Sequence, residues 1–209
     1  MPEAAANAAG TADGPVYREA IATVGELLDA AREGGEPEPT AMTLATAGID
    51  GRVSARIVLL KQLDESGFTF FSNYDSAKAH ELNENARAAL CFLWKTLRDA
   101  VQVRVEGTVV RIAAADSDAY FATRARESQI GAWASRQSQI LASREELDAR
   151  VAEFERRFAG AEVPRPPHWG GYLLKPDMIE IWYGQRARLH DRVRYELVDG
   201  AWRKRLLFP

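Results

Sequence analysis

Apolar positions along this chain change their spacing repeatedly, and the changes divide it into elements. In "VYREAIATVGELLDAAREG", Ile21, Val24, Leu27, Leu28 and Ala31 recur every three or four residues, which predicts a helix ended by Gly34-Gly35. "EPEPT" then reads as a linker. β-rich runs follow, "AMTLATA", "RVSARIVLLKQL" and "FTFFSN", separated by the turn segments "GIDG" and "DESG", and they predict a meander. "SAKAHELNENA" predicts a short helix, and "AALCFLW" and "VQVRVEGTVVRI" predict two more strands. Helical stretches are expected over residues 116–124 and 128–134 and again from Ser143. There "SREE" has the Ser-x-x-Glu spacing of a capping box, and Leu147, Val151, Phe154 and Phe158 continue the stripe. "EVPRPPHWGG" reads as a loop, with two or three strands closing the chain. Residues 1–14, rich in Ala and Gly, are expected to be disordered. Residues 15–40 form a helix and linker, and residues 41–209 one domain. The fold class is mainly β with helices (α+β), an antiparallel sheet or barrel rather than an alternating βαβ fold.

Composition narrows the function. A chain of 209 residues that is 46% hydrophobic can bury a full core. Its net charge of −3 and pI near 5.7 argue against a general nucleic-acid binder. No apolar stretch approaches the roughly 20 residues that span a bilayer. "MPEAAANAAGTADG" lacks a basic and an apolar signal region, so a cytoplasmic protein without a membrane partner is expected. Cys91, the single cysteine, can form neither an internal disulfide nor a multi-cysteine zinc site, and its apolar setting predicts a buried core thiol. His80, His168 and His190 are scattered without ligand spacing, so no metal is expected. G-x-S-x-G, the phosphate-binding G-x-x-x-x-G-K-[ST] loop and a dinucleotide fingerprint are all absent.

Candidate anion sites remain. "NYDSAKAHEL" places Lys78 in the first turn of a helix that begins near Ser76, where unpaired N–H groups and the helix dipole favour a phosphate. A capped helix with a surface lysine would read the same way. In "SARIVLLKQ", Arg56 and Lys61 bracket Ile57 to Leu60, a strand that reads as buried on both faces; charges at such ends also snorkel to solvent. "YFATRARESQIGAWASRQSQ" interrupts a helical pattern with Tyr, Arg, Ser and Gln, as either a ligand-facing surface or a solvated loop does. In "WYGQRARLHDRVRYEL", Arg186, Arg188, His190, Arg192 and Arg194 alternate, so an extended chain would carry all five on one face. Either that face is a solvated edge or it holds something negative.

The blocks "RIVLLK", "SNYDSAKAHEL", "QVRVEG", "YFATRARESQIGAWASRQS", "WGGY", "IEIWYGQRARLHDR" and "RLLFP" occur in order between about Ala41 and Pro209. Together they resemble the pyridoxine/pyridoxamine 5′-phosphate oxidase family. The resemblance implies an FMN-binding split β-barrel and a homodimer with FMN in a cleft between subunits. The reaction it implies is oxidation of pyridoxine 5′-phosphate and pyridoxamine 5′-phosphate by O2 to pyridoxal 5′-phosphate. H2O2 is the by-product, ammonia leaves from the amine, and a hydride passes from substrate C4′ to flavin N5. Carried over by residue, contacts to the FMN phosphate and ribityl chain fall on Arg56, Ser72, Lys78 and Ser138. Contacts to the flavin ring fall on Ile57, Val58, Leu59, Leu60, Lys61, Phe71, Gln102, Gln137, Trp182 and Arg192. The substrate phosphate falls to Lys61, Tyr120, Arg124 and Ser128, and Arg188 and His190 close over the pyridine ring as the catalytic pair. Arg186 and Arg194 match no functional position and are expected to be solvated.

The chain departs from the family pattern at Ala77, where an Arg usually precedes the Lys. A second departure is the longer segment before Gln102, with Val101 in place of an Arg. The family's Arg/Tyr-bearing leader has only Tyr17-Arg18 as a counterpart. Two other readings are a flavin oxidase of phenazine biosynthesis and a non-enzymatic split-barrel protein that binds FMN, haem or pyridoxal phosphate.

Overall fold

The computed structural model describes residues 14–209; the predicted tail, except for Gly14, lies outside the described residues. Helix α1 (Pro15–Glu33) starts with proline in its first turn, where the missing N–H costs nothing. Strands β1 (Ala41–Ala47), β2 (Val53–Leu59), β3 (Gln62–Asp64) and β4 (Gly67–Asn73) follow one another as expected but do not form the expected meander: β1 pairs with β2 and β3 with β4, and the two hairpins stand at opposite ends of the sheet. After α2 (Ala77–Glu84) come β5 (Arg87–Trp94) and β6 (Val101–Arg111). Then α3 (Ala114–Ala122), α4 (Arg126–Ala134) and α5 (Arg144–Arg157) lead into β7 (Trp169–Tyr183), β8 (Asp191–Val198) and β9 (Ala201–Leu207). At α5 the Ser143 side chain accepts from the Glu146 N–H, as its capping spacing predicts.

The nine strands of the described residues pair antiparallel in one curled sheet, in the order β2-β1-β5-β6-β7-β4-β3, with β8 and β9 branching from β7. The branch is made by β7. One of its edges follows β6 along its length, while the other pairs first with β4 (through Leu174) and then with β8 (from Met178). Pro176 falls in the gap between these two partners, a place where a residue without an N–H is tolerated. The β6 register also shifts there, between Glu106 and Gly107, and a side chain at Gly107 would meet the Lys175 carbonyl at 2.1 Å.

Two hydrophobic clusters result. The larger fills the curl: Phe68, Phe70, Phe92, Leu90, Ile179 and Ile181 are at most 1% exposed, and Ile21, Val24 and Leu28 of α1 close over them. Burying each such side chain contributes roughly 1.5–3 kcal/mol. The smaller lies among α3, α4, α5 and the start of β7 and contains Phe121, Ile130, Phe154, Phe158 and Trp169.

Four further expectations change. β2 is an edge strand paired only with β1, so Ile57 is 63% exposed instead of buried on both faces. Cys91 is half-buried, since its side chain lies on the outer face of β5. Tyr17 packs on Trp202 at 4.9 Å and donates to the Glu65 carbonyl, which makes it a core residue and not a cover for the site. The run of alternating cations does not stay extended: the chain leaves β7 at Tyr183 and makes a single 3-10 turn over Arg186–Arg188. Ala187 (φ 56°) and Arg188 (φ 61°) are left-handed there, and the chain re-enters the sheet at Asp191.

Candidate functional site

A cleft of about 1110 Å³ opens between the β2–β4 side of the sheet and the α3–α4 helices. Arg56, Ile57, Val58 and Leu59 reach it from β2, Lys61 from the β2–β3 joint, Phe71 and Ser72 from β4, and Lys78 from the first turn of α2. The opposite wall carries Tyr120, Arg124, Ser128, Gln137 and Ser138. Leu60 does not line the cleft: it is 4% exposed and belongs to the core, because its neighbours on either side face the other way.

Packing fixes the two walls against each other. β4 runs beside β7 with Phe71 opposite Gly171 and Ser72 opposite Gly170. A side chain at Gly170 would strike the Tyr74 ring, and one at Gly171 would strike Ile112 and Phe71. The Ser117 hydroxyl accepts from the Gly171 N–H at 3.1 Å and so docks α3 on the strand. Tyr120 thereby stacks on Phe71 at 3.9 Å, and Phe71 stacks on Trp169 at 5.2 Å.

Three of the four cations in this cleft, Lys61, Lys78 and Arg124, lack carboxylate partners among the described residues. Lys78 is 8% exposed and its Nζ donates to three neutral oxygens: Gln137 Oε1 at 2.8 Å, Ser76 Oγ at 3.1 Å and Ser72 Oγ at 3.2 Å. Burial, with help from nearby Arg56, pushes its pKa down to about 8. The Arg124 guanidinium lies over the Trp169 ring at 4.6 Å, and its buried Nη1 has no hydrogen-bond partner. Burial lowers its pKa as well. Among the described residues, no acidic group lies within ion-pairing distance of Lys61, Lys78 or Arg124. Arg56 differs, since Glu81 holds it at 3.2 Å in a network with Thr46 and Ser54. Burial raises the Glu81 pKa, but its hydrogen bonds from Thr46, Ser54 and Arg56 outweigh that and leave the carboxyl below its usual range.

The remaining sequence-predicted residues form a second group outside this cleft. Gln102 on β6 lies across from Trp182 on β7, and Trp182 in turn from Arg192 on β8. His190 packs on Trp182 at 4.4 Å. Its Nδ1 accepts from the Gln185 N–H at 3.1 Å, which leaves the proton of the neutral ring on Nε2. Arg188 is exposed on the 3-10 turn. His190 and Arg192 line a smaller cleft of about 360 Å³ with Leu206 to Pro209. Arg194, expected to be solvated, instead pairs at 2.7 Å with Glu180, and Arg192 pairs with the same carboxylate at 2.8 Å.

Residues 27–158 match the sequence model of the family described as pyridoxamine 5′-phosphate oxidase, and residues 169–209 that of the pyridoxine 5′-phosphate oxidase C-terminal dimerisation region. This chain belongs to the pyridoxamine 5′-phosphate oxidase family. It is 55% identical to a pyridoxine/pyridoxamine 5′-phosphate oxidase of Xanthomonas euvesicatoria, over 93% of this chain and 98% of that one. With the enzyme of that name from Myxococcus xanthus it is 54% identical, over 88% of each chain. Among solved structures, PhzG of Burkholderia lata, in complex with tetrahydrophenazine-1-carboxylic acid, superposes with a TM-score of 0.86 at 33% identity, covering 93% of this chain and 96% of that one. A pyridoxamine 5′-phosphate oxidase-related, FMN binding protein of Nostoc punctiforme shares the fold, with a TM-score of 0.70 at 18% identity, covering 92% and 97%. The curled antiparallel sheet is thus the split barrel of this oxidoreductase family, and no helix among the described residues is long and apolar enough to cross a membrane.

Sequence reasoning missed several residues that shape the site. Trp169 lines the cleft, and the "WGGY" block that contains it was its only signal. Glu81, Thr46 and Ser54 come from three separate elements, so nothing local announces them. Glu180 had a signal: it is a lone acid in the apolar run "MIEIWY".

Proposed function

We propose that this protein is an FMN-dependent oxidase of pyridoxine 5′-phosphate and pyridoxamine 5′-phosphate, acting as a homodimer in the cytoplasm. One observation carries the reading: the buried Lys78 and the half-buried Arg124, whose Nη1 is buried and unmatched, face one cleft without a carboxylate partner among the described residues. A buried charge without a counter-ion is costly, and two anionic ligands would relieve both. FMN is the cofactor, and the donor set fits it. Lys78, Arg56, Ser72 and Ser138 would hold its phosphate, and the 57–61 segment, Phe71 and Gln137 would border its ring. When bound, FMN would supply the two-electron redox chemistry, as acceptor of the substrate C4′ hydride with O2 as the final oxidant reduced to H2O2. Lys61, Tyr120, Arg124 and Ser128 would hold the substrate phosphate, with Arg124 Nη1 supplying the donor that is now unmatched. Oxidation of the amine substrate would give an imine that water hydrolyses to pyridoxal 5′-phosphate and ammonia; the alcohol would give the same aldehyde directly.

Gln102, Trp182, Arg188, His190 and Arg192 lie outside the large cleft of their own chain, so in a dimer they would complete the cleft of the other copy. Leu189, Leu206 and Phe208 nearby are 70%, 79% and 94% exposed, an apolar surface suited to burial between copies. The Arg188 guanidinium carries N–H donors and no acceptor, so it holds the ligand and does not deprotonate it. His190, with Nδ1 occupied, offers an Nε2–H donor and orients the ring instead of deprotonating it. The likeness to PhzG favours a second reading, a phenazine-type substrate. A tricyclic acid has no phosphate ester to meet Lys61, Tyr120, Arg124 and Ser128 together. Purified protein should be yellow and bleach anaerobically with pyridoxamine phosphate. Bleaching only by a reduced phenazine carboxylate would select the second reading, and a colourless protein would overturn both.

A further inference from the structure

The β7–β8 hairpin holds a carboxylate that the proposed reaction does not use. Glu180 lies between Ile179 and Ile181, whose side chains enter the core, so strand alternation turns it to the opposite face. It is nevertheless 2% exposed there, because arginines cover it. Arg192 donates from Nε and Nη2 to Oε1 at 3.1 and 2.8 Å. Arg194 donates from Nε and Nη2 to Oε2 at 3.1 and 2.7 Å. Arg104 stands further off, at 3.9 Å, and makes its closer pair with Glu106. Each oxygen of one buried carboxylate therefore holds its own guanidinium.

A guanidinium has five N–H donors. Arg192 commits two to Glu180 and one, from Nη1, to the Phe208 carbonyl at 3.0 Å. These bonds fix its plane from two sides and leave two N–H groups for a ligand. Burial raises the Glu180 pKa, yet the hydrogen bonds from Arg194 and Arg192 outweigh it and hold the carboxyl below its usual range. Two guanidiniums and one carboxylate leave a net charge of +1, so Arg192 is anchored without being neutralised.

We propose that Glu180 is the positioning residue for Arg192 on the flavin side of the site, with Arg194 as the second counter-charge that makes this possible. The inference rests on the FMN reading above. A free arginine would lose rotamer freedom on meeting the flavin, and Glu180 removes that freedom in advance. The test is FMN release on dilution of the holoprotein, followed by flavin fluorescence, together with the visible circular dichroism of the bound flavin. Glu180→Gln keeps the shape but not the charge, and should raise the dissociation constant about tenfold and alter the flavin dichroism. Arg194→Ala should raise the constant about threefold and Arg194→Lys should restore most of it. A Glu180→Gln protein that melts earlier but holds FMN with an unchanged constant and spectrum would overturn the proposal, leaving Glu180 a purely structural residue. If Glu180→Gln does not fold, the Arg194 pair decides: equal release from wild type, Arg194→Ala and Arg194→Lys overturns it. Arg192→Ala separates the two layers of the argument. If it leaves FMN release unchanged, the placement of Arg192 at the flavin fails, and the proposal with it. If it speeds release while Glu180→Gln does not, only the role of Glu180 fails.

Discussion

The large cleft and the β7–β8 hairpin both gather basic side chains, but they treat the charge in opposite ways. In the cleft, Lys78 donates only to neutral oxygens and Arg124 leaves a buried N–H unmatched. In the hairpin, Arg192 and Arg194 divide the two oxygens of a buried glutamate between them. A cation that already has a protein carboxylate is locked in place, and its remaining donors set direction. A cation without one is left in deficit until an anion arrives. The same residue type thus marks a binding site in one region and a brace in the other, and the number of arginines in a stretch distinguishes neither.

The comparison breaks most visibly at Arg124. Arg124→Met should lower kcat/KM for pyridoxamine phosphate at least about a hundredfold, close to 3 kcal/mol for a lost charge-assisted phosphate contact. The free protein should at the same time melt higher, because a buried unmatched donor is gone. Steady-state kinetics beside thermal melts would show both, and a variant that loses stability along with activity would put Arg124 among the braces. Lys78→Ala comes next. With Ala77 beside it supplying no second cation, FMN affinity should fall by roughly 1.5–3 kcal/mol in a fluorimetric titration. An unchanged dissociation constant would remove the phosphate from this helix.

On the hairpin side, Arg188→Ala should keep its FMN and lose at least tenfold in kcat/KM, about 1.4 kcal/mol. Arg186→Ala, two residues away on the same exposed turn, should be close to wild type. Equal activity in the two variants would make the turn an ordinary charged edge. The smallest effect is one of pH. The Lys78 pKa is depressed to about 8 in the folded chain, so below that pH the residue is charged in both folded and unfolded forms and its burial opposes folding. As pH rises past 8 the folded form sheds the proton first and this cost is relieved. FMN needs the charge, so its affinity should move the other way and weaken about fourfold between pH 7 and pH 8.5. Lys78→Arg should flatten that profile, and a wild-type profile already flat would show that the lysine keeps its proton.

Most elements of the fold were legible in the sequence, because helix and strand periods and turn residues are local signals. Ser143 capped α5 and Ser76 preceded α2 as read. The cleft residues were legible too, through ordered blocks whose members the fold brings together, Arg56 to Leu59 and Lys61 with Tyr120, Arg124 and Ser128. What failed depended on distant partners. Four aliphatics from Ile57 to Leu60 looked like a central strand, but strand order alone decides that β2 is at an edge. The alternation from Arg186 to Arg194 looked like one face. Left-handed φ at Ala187 and Arg188, without a glycine to announce it, broke that face into a turn and a strand. Arg194 looked idle because its partner lies fourteen residues earlier on another strand.

The two hydrophobic clusters bear on how the molecule opens. One is knitted by the sheet and α1, the other by α3, α4, α5 and Trp169, and the cleft runs along the seam between them. Clusters with separate interiors can open as separate cooperative units, each with its own free energy below that of global unfolding. Anything held by Lys78 and Ser72 on one bank and by Arg124 and Ser128 on the other fastens the two units together. The amides of α3 to α5 should then exchange with deuterium more slowly once both anions are bound, while those of β5 and β6, deep in the first unit, scarcely change. In that sense the ligands serve as the rivets of a structure whose chain alone leaves the joint unfastened.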